Sequence, residues 1–183
     1  MARDRCMLSR IWNVVGFQAA WFACVLGAAH DHPWLGPFAV LLLLTGHIAT
    51  MPEWQQPLRR IIFIGVFGMF VDSMLGLAGV LQYRDGLGAG WICPPWLVAL
   101  WMAFATTLKP SLGWLEKRYA TAALVGGIFG PLSYYSGHAA GALRVRGDLV
   151  DGLLVLAVLW ATLLPGLLWI GAAPNLKLKI DRD

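Results

Sequence analysis

Long apolar runs, each closed by a short cluster of polar, glycine or proline residues, dominate the chain. Read at helical rise, they predict six spans: Ile11–Ala29, Trp34–Thr50, Ile61–Gln82, Trp91–Leu115, Tyr119–His138 and Gly152–Gly171. In the third run Gly65, Gly68, Gly76 and Gly79 recur at three- and four-residue steps around Asp72, which places all five on one helix face. In the fifth, Gly127, Gly130, Gly137 and Gly141 form the same groove around Tyr134. The first run offers a fainter version in Asn13, Gly16, Ala20, Ala23 and Gly27.

These grooves suggest an internal repeat. The segment Gly65 to Asp72 aligns with Gly127 to Tyr134, and Thr106 to Leu115 aligns with Ala161 to Ile170, matching Pro110 to Pro165 and Trp114 to Trp169. Residues 61–115 then read as a helical hairpin duplicated in 119–171, with Tyr134 standing where Asp72 stands. The expected architecture is an all-α integral membrane protein: one transmembrane domain over residues 1–183, a six-helix bundle of hairpin repeats. Its odd-numbered helices are expected to pack centrally through their small residues.

Composition supports the membrane class. Of 183 residues, 58% are hydrophobic and only 13% charged, against about 25% charged in a soluble domain. The formal charge of +4 is a topology signal. With the spans above, Arg3, Arg5, Arg10, Arg59, Arg60, Lys109, Lys117, Arg118, Lys177, Lys179 and Arg182 fall on one side, and Arg84, Arg144 and Arg146 on the other. The positive-inside rule places both termini in the cytoplasm, and no basic patch is left to bind nucleic acid. Asn13, Gln18, Trp12 and Trp21 are poor residues for a signal-peptide core, so the first span is expected to be a retained helix. Trp12, Trp34, Trp54, Trp91, Trp96, Trp114 and Trp169 lie near span ends, as an aromatic belt requires. Trp21, Trp101 and Trp160 lie deeper and are the better candidates for lining a cavity.

Asp72 is the one acidic residue inside the spans, about 16 Å into its run and close to the bilayer midplane. A carboxyl group there costs roughly 2.5–3.5 kcal/mol on insertion scales, so it must face protein or a wet cavity. Candidate ligand or proton-site residues are Asp72, Tyr134, Gln18, Trp101, Trp21, His47, Ser133, Tyr135 and Asn13. Asp72 and Tyr134 are expected at equal depth, whereas a His47–Asp72 pair needs tilt or a water to close. Asp72 reads equally well as a functional group and as an interhelical tie. Pro131 is expected to kink the fifth span beside Ser133 and Tyr134. His30, Asp31 and His32 could offer ligands to a metal but have no fourth group nearby, and a solvated turn before Pro33 is the favoured reading. Cys24 and Cys93 read as small buried apolar residues, with a disulfide between them as the alternative. Histidine clusters, Asp-rich pairs, phosphate-binding loops and nucleophile elbows are missing from the sequence, so no catalytic residue is assigned and no cofactor is expected.

Taken together, Asn13, Phe17, Gln18, Trp21 to Leu26, Asp72-Ser73, Pro95-Trp96, Leu100-Trp101, Phe104 to Leu108 and Gly130 to Tyr134 resemble an uncharacterised bacterial family. It is a domain-of-unknown-function family of small multi-pass inner-membrane proteins, and the likeness covers nearly the whole chain. The resemblance implies no activity. It implies a lipid-related role, because genes of the family are found near genes for fatty-acid methylation, cyclopropanation and redox enzymes. Trp96, Trp101 and Phe104-Ala105-Thr106 are also faintly similar to the tryptophan-rich sensory (translocator) proteins, which have five spans.

The expectation is therefore a protein that binds or translocates a hydrophobic or lipid-derived small molecule in a central cavity around Asp72. A membrane enzyme of lipid or fatty-acid modification is one alternative. A non-catalytic scaffold for a lipid-modifying enzyme is another. Membrane lipid is the expected surrounding partner, and the glycine stripes also suit a homo-oligomer.

Overall fold

Proline, glycine and threonine decide where the apolar runs stop being helical. A computed structural model of the chain describes residues 2–49, 53–84 and 90–172, with side chains described within residues 10–171. The described residues form six α-helices: α1 (Ala2–Ala29), α2 (Leu35–Ala49), α3 (Gln55–Leu77), α4 (Pro95–Ala105), α5 (Tyr119–Ala140) and α6 (Leu149–Ala172). Three of them, over Arg10–Ala29, Gln55–Leu77 and Leu149–Gly171, are long and apolar enough to cross a membrane. Lys177, Lys179, Arg182, most of the Tyr83–Gly90 loop and the side chains of Arg3, Arg5 and Cys6 lie outside the described residues.

Two departures from the predicted spans have local causes. The third run does not stay helical to Gln82. Gly79 takes φ 75°, a left-handed conformation that glycine adopts at no steric cost, and the chain leaves the helix as strand β1 (Leu81–Tyr83). The fourth run is helical only over 11 residues rather than to Leu115. Pro95 starts it at a position where a missing N–H costs nothing. At its end the Thr106 and Thr107 hydroxyls donate to the Ala103 and Phe104 carbonyls, both at 2.7 Å, and turns carry the chain past Pro110 to a single 3-10 turn at Gly113–Leu115.

A second strand, β2 (Leu143–Val145), pairs antiparallel with β1, with Gln82 opposite Arg144. The expected all-helical chain thus carries a small two-stranded ribbon, one strand following α3 and the other α5. The exits of α3 and α5 match closely. Gly79 and Gly141 both sit at positive φ, and the Val80 and Ala142 amides donate to the Leu75 and Gly137 carbonyls, each at 3.0 Å. Gly137, Gly141 and Ala142 each lie 62 positions beyond their counterparts, the same step that separates Asp72 from Tyr134.

The glycine faces do not meet each other at a centre of odd-numbered helices. The main helix pairs are α1 with α2, α3 with α4, and α5 with α6, and α4 is the helix that α1, α2 and α3 all touch. Each groove instead seats a tryptophan of its own hairpin. A Cβ at Gly68 would fall on the Trp101 ring, and one at Gly130 on the Trp160 ring. Gly65 faces Met102 and Val98, while Gly127 faces Ala161 and Ala157. The partners on α4 and α6 therefore correspond at a step of 59 residues, as in Trp101 and Trp160. The alignment of Thr106–Leu115 with Ala161–Ile170 is out of this register by one helical turn, and its first segment lies beyond the end of α4.

Gly68→Ala and Gly130→Ala should each push an indole ring out of the groove that seats it. Both variants are expected to lower the melting temperature in detergent, whereas Gly46→Ala, at a site with nothing nearby, should not. Thermal unfolding of the three variants checks this.

Candidate functional site

Asp72 sits in the C-terminal third of α3 with its side chain completely buried. The Tyr134 hydroxyl of α5 donates to Oδ1 at 2.6 Å, and Trp101 Nε1–H of α4 donates to Oδ2 at 2.6 Å. Tyr83, at the end of β1, folds back so that its hydroxyl donates to the Asp72 carbonyl at 2.7 Å. Next along, Ser73 Oγ accepts the Cys93 amide at 3.1 Å. The carboxyl group thus has a donor on each oxygen, and three helices meet at it.

The bonded tyrosine and tryptophan form part of the wall of a cavity of about 900 Å³. Its lining comes mainly from α1, α4, α5 and α6: Phe17, Gln18 and Trp21, then Trp96, Trp101 and Phe104, then Ser133 and Tyr134, then Trp160, with Leu112 and Trp114 from the turns after α4 and Leu143 from β2. The aromatic wall is ordered. Trp101 and Trp160 stack with centroids 5.1 Å apart and planes at 13°, and Phe104 meets Trp160 edge-on at 5.6 Å. Across the cavity, Trp21 Nε1–H donates to Ser133 Oγ at 3.0 Å, a bond that bridges α1 and α5, which otherwise touch little. Pro131 precedes Ser133 within α5, which remains one continuous helix.

Five of the nine candidate residues line this cavity: Gln18, Trp21, Trp101, Ser133 and Tyr134. Asp72 stands behind the wall, reaching the cavity only through the two side chains it holds. Asn13 is elsewhere, at the broken end of α4. Its amide donates to the Thr106 carbonyl at 3.2 Å, and its oxygen accepts the Ser111 hydroxyl at 2.6 Å. Tyr135 is exposed on the outside of α5. His47 lies on α2, which packs against α1 and α4. Trp96 is corrected from belt to wall: it is 1% exposed and lines the cavity, while the other six tryptophans assigned to span ends are all exposed. The sequence signal that could have separated it is the Pro94-Pro95 pair, which starts α4 there and turns Trp96 inward.

The His30-Asp31-His32 segment does not assemble as a ligand set. Asp31 takes φ 62° and pairs with Arg84 at 2.9 Å, His30 Nδ1 is 2.9 Å from the Leu26 carbonyl, and no metal-binding cluster occurs among the described residues. Cys24 and Cys93 are both buried and free.

A sequence model of the family described as protein of unknown function (DUF2878) matches residues 10–166. The chain belongs to the DUF2878 family. The match runs from the end of the basic N-terminal stretch to the last third of α6, and so takes in Asp72, its partners and the cavity lining. No curated protein and no solved structure matches the chain.

A directional bond between transmembrane helices contributes about 0.6 kcal/mol on average and roughly 1.7 at most. The doubly bonded Asp72 should reach the upper part of that range. A double-mutant cycle on Asp72→Asn and Tyr134→Phe is expected to give a coupling of about 1–2 kcal/mol, read from unfolding in detergent. Asp72→Leu, which leaves two buried donors without an acceptor, should cost more than Asp72→Asn, which keeps one carbonyl oxygen.

Proposed function

We propose that this protein is a six-span protein of the bacterial inner membrane that binds or translocates a hydrophobic or lipid-derived small molecule. The observation that carries the reading is the cavity beside the Asp72 cluster, about 900 Å³ and walled mainly by aromatic and aliphatic side chains. That volume lies at the upper end of small-molecule sites. The rim includes Phe22 of α1 and Phe129 and Leu132 of α5, all exposed, so an apolar molecule could enter sideways between two helices that scarcely touch. In this reading Asp72 is the tie that shapes the wall, and the ligand meets Tyr134 and Trp101. An enzyme of lipid modification would need convergent reactive groups in the cavity, and the lining offers the Tyr134 phenol with no carboxylate, histidine, lysine or thiol beside it. A scaffold for a lipid enzyme draws its support from the fully bonded Asp72 alone.

Membrane crossing by all six helices includes the short α4. Its residues, all but Pro95 buried or half-buried, and the buried Thr106, Thr107, Leu108 and Leu115 beyond it, put irregular backbone inside protein, where membrane depth tolerates it. Arg84 beside Asp31, with Arg144 on the ribbon, belongs to the outer end in this topology; Arg60, bonded to the Gly171 carbonyl at 3.2 Å, belongs to the cytoplasmic end. The hairpins α3–β1–α4 and α5–β2–α6 are read as duplicated units.

Native mass spectra of the protein, purified from membranes in a mild detergent, test the binding reading. Wild type should carry a small hydrophobic adduct that Leu100→Trp, which fills the cavity, loses while remaining folded. Identical adducts on both proteins, or none on either, would reject it. For topology, cysteine at Asp31 should react with an impermeant maleimide in intact cells, and cysteine at Lys117 only after permeabilisation.

A further inference from the structure

One directional bond crosses the open side of the cavity. Trp21 Nε1–H of α1 donates to Ser133 Oγ of α5 at 3.0 Å, and both residues belong to the lining. Among the described residues no other side-chain hydrogen bond joins α1 to α5, and the two helices touch little elsewhere. Ser133 is also unlike the other helical hydroxyls in its partner. Thr45, Ser136 and Thr162 turn back to carbonyls of their own helices, the ordinary bond for such residues. Ser133 instead meets a side chain of another helix.

Both banks of this seam are apolar and open. The lining runs from Phe17 to Val25 on α1 and from Val125 to Gly137 on α5, and the bond joins the two stretches well inside each. Beside it, Phe22 of α1 and Phe129 and Leu132 of α5 line the cavity and are exposed as well. Phe22 meets the Trp21 ring edge-on at 5.2 Å, so the bonded indole is in contact with the outer surface. The lining contains no Lys, Arg, His, Asp or Glu, and an ionised molecule would lie unpaired among aromatic rings. A single hydrogen bond between transmembrane helices changes an equilibrium by about three- to fifteenfold, which biases the seam toward closure without locking it.

We infer that the α1–α5 seam is a side portal between the cavity and the bilayer for an uncharged lipophile, and that the Trp21–Ser133 bond is its latch. The inference rests on the cavity-binding reading above and adds how the cavity is entered. The latch is made while the seam is closed, with the cavity filled or empty, and is broken while a molecule passes. It therefore sets the rate of exchange in both directions and leaves the affinity alone.

The test follows exchange of a bound probe on full-length protein in a mild detergent. The protein is loaded with pyrenedecanol, an uncharged lipophile with a broad ring, and chased with excess pyrenedodecanol. Native mass spectra time the replacement of one adduct by the other, and a titration gives Kd. Trp21→Phe keeps a ring but no N–H, and Ser133→Ala removes the acceptor. Each should exchange about three- to fifteenfold faster than wild type, with Kd unchanged within about twofold. The double variant should be no faster than either single one, since both break the same bond. Ser133→Thr, which keeps the hydroxyl, should exchange at the wild-type rate. Unchanged rates in both single variants put entry elsewhere, as past the exposed Trp114, and the inference fails while the binding reading stands. Rates that add in the double variant, or rise only with a matching loss of affinity, make the two side chains ligand contacts and also overturn it. If wild type holds no pyrene adduct, or Leu100→Trp holds it equally, the inference and the binding reading both fail. Should Ser133→Ala not fold, Trp21→Phe against wild type still decides.

Discussion

A single carboxyl group with a donor on each oxygen holds the middle of this bundle together. In lipid, helices gain little by burying apolar surface against each other, so close packing and directional bonds must supply the specificity. Asp72 supplies both at once. The Trp101 indole that it binds lies on the flat left by Gly68, and the tyrosine that it binds comes from α5. The ring is thus located by shape on one side and by a hydrogen bond on the other. Replace the glycine and the ring must move; replace the acid and the ring loses its orientation.

The cavity follows from that arrangement. Trp101, fixed from α3, stacks on Trp160, which is seated in the matching groove of α5. Two large rings held face to face in this way form a rigid wall, and the weak contact between α1 and α5 leaves the space in front of it unfilled. The buried turns after α4 serve the same wall: Asn13 and Ser111 bond across them, which anchors the end of the helix that carries both Trp96 and Trp101.

How far the sequence could be read depended on whether a signal was local. The apolar runs, the glycine grooves and the isolation of Asp72 are visible because helical periodicity and the cost of a buried charge act on neighbouring residues. The equal depth of Asp72 and Tyr134 came from the same source, a repeated local pattern, and their side chains do meet. Less legible were the ends of α3 and α4. A left-handed glycine and two threonine hydroxyls stop helices whose hydropathy would carry them further.

Hydropathy, charge placement and small-residue spacing were enough to say what each helix would be made of and which face it would offer. They did not say what would occupy that face. A groove of glycines accepts another helix or an indole ring equally well, and the choice depends on long-range contacts: Trp101 and Trp160, reached at a step of 59 residues, fill the grooves in place of a neighbouring backbone. The same contacts move Asp72 behind the wall, draw Trp96 inward and leave its N–H without an acceptor. Packing between segments far apart in the chain sets these positions, and a pattern read along the chain carries no term for it.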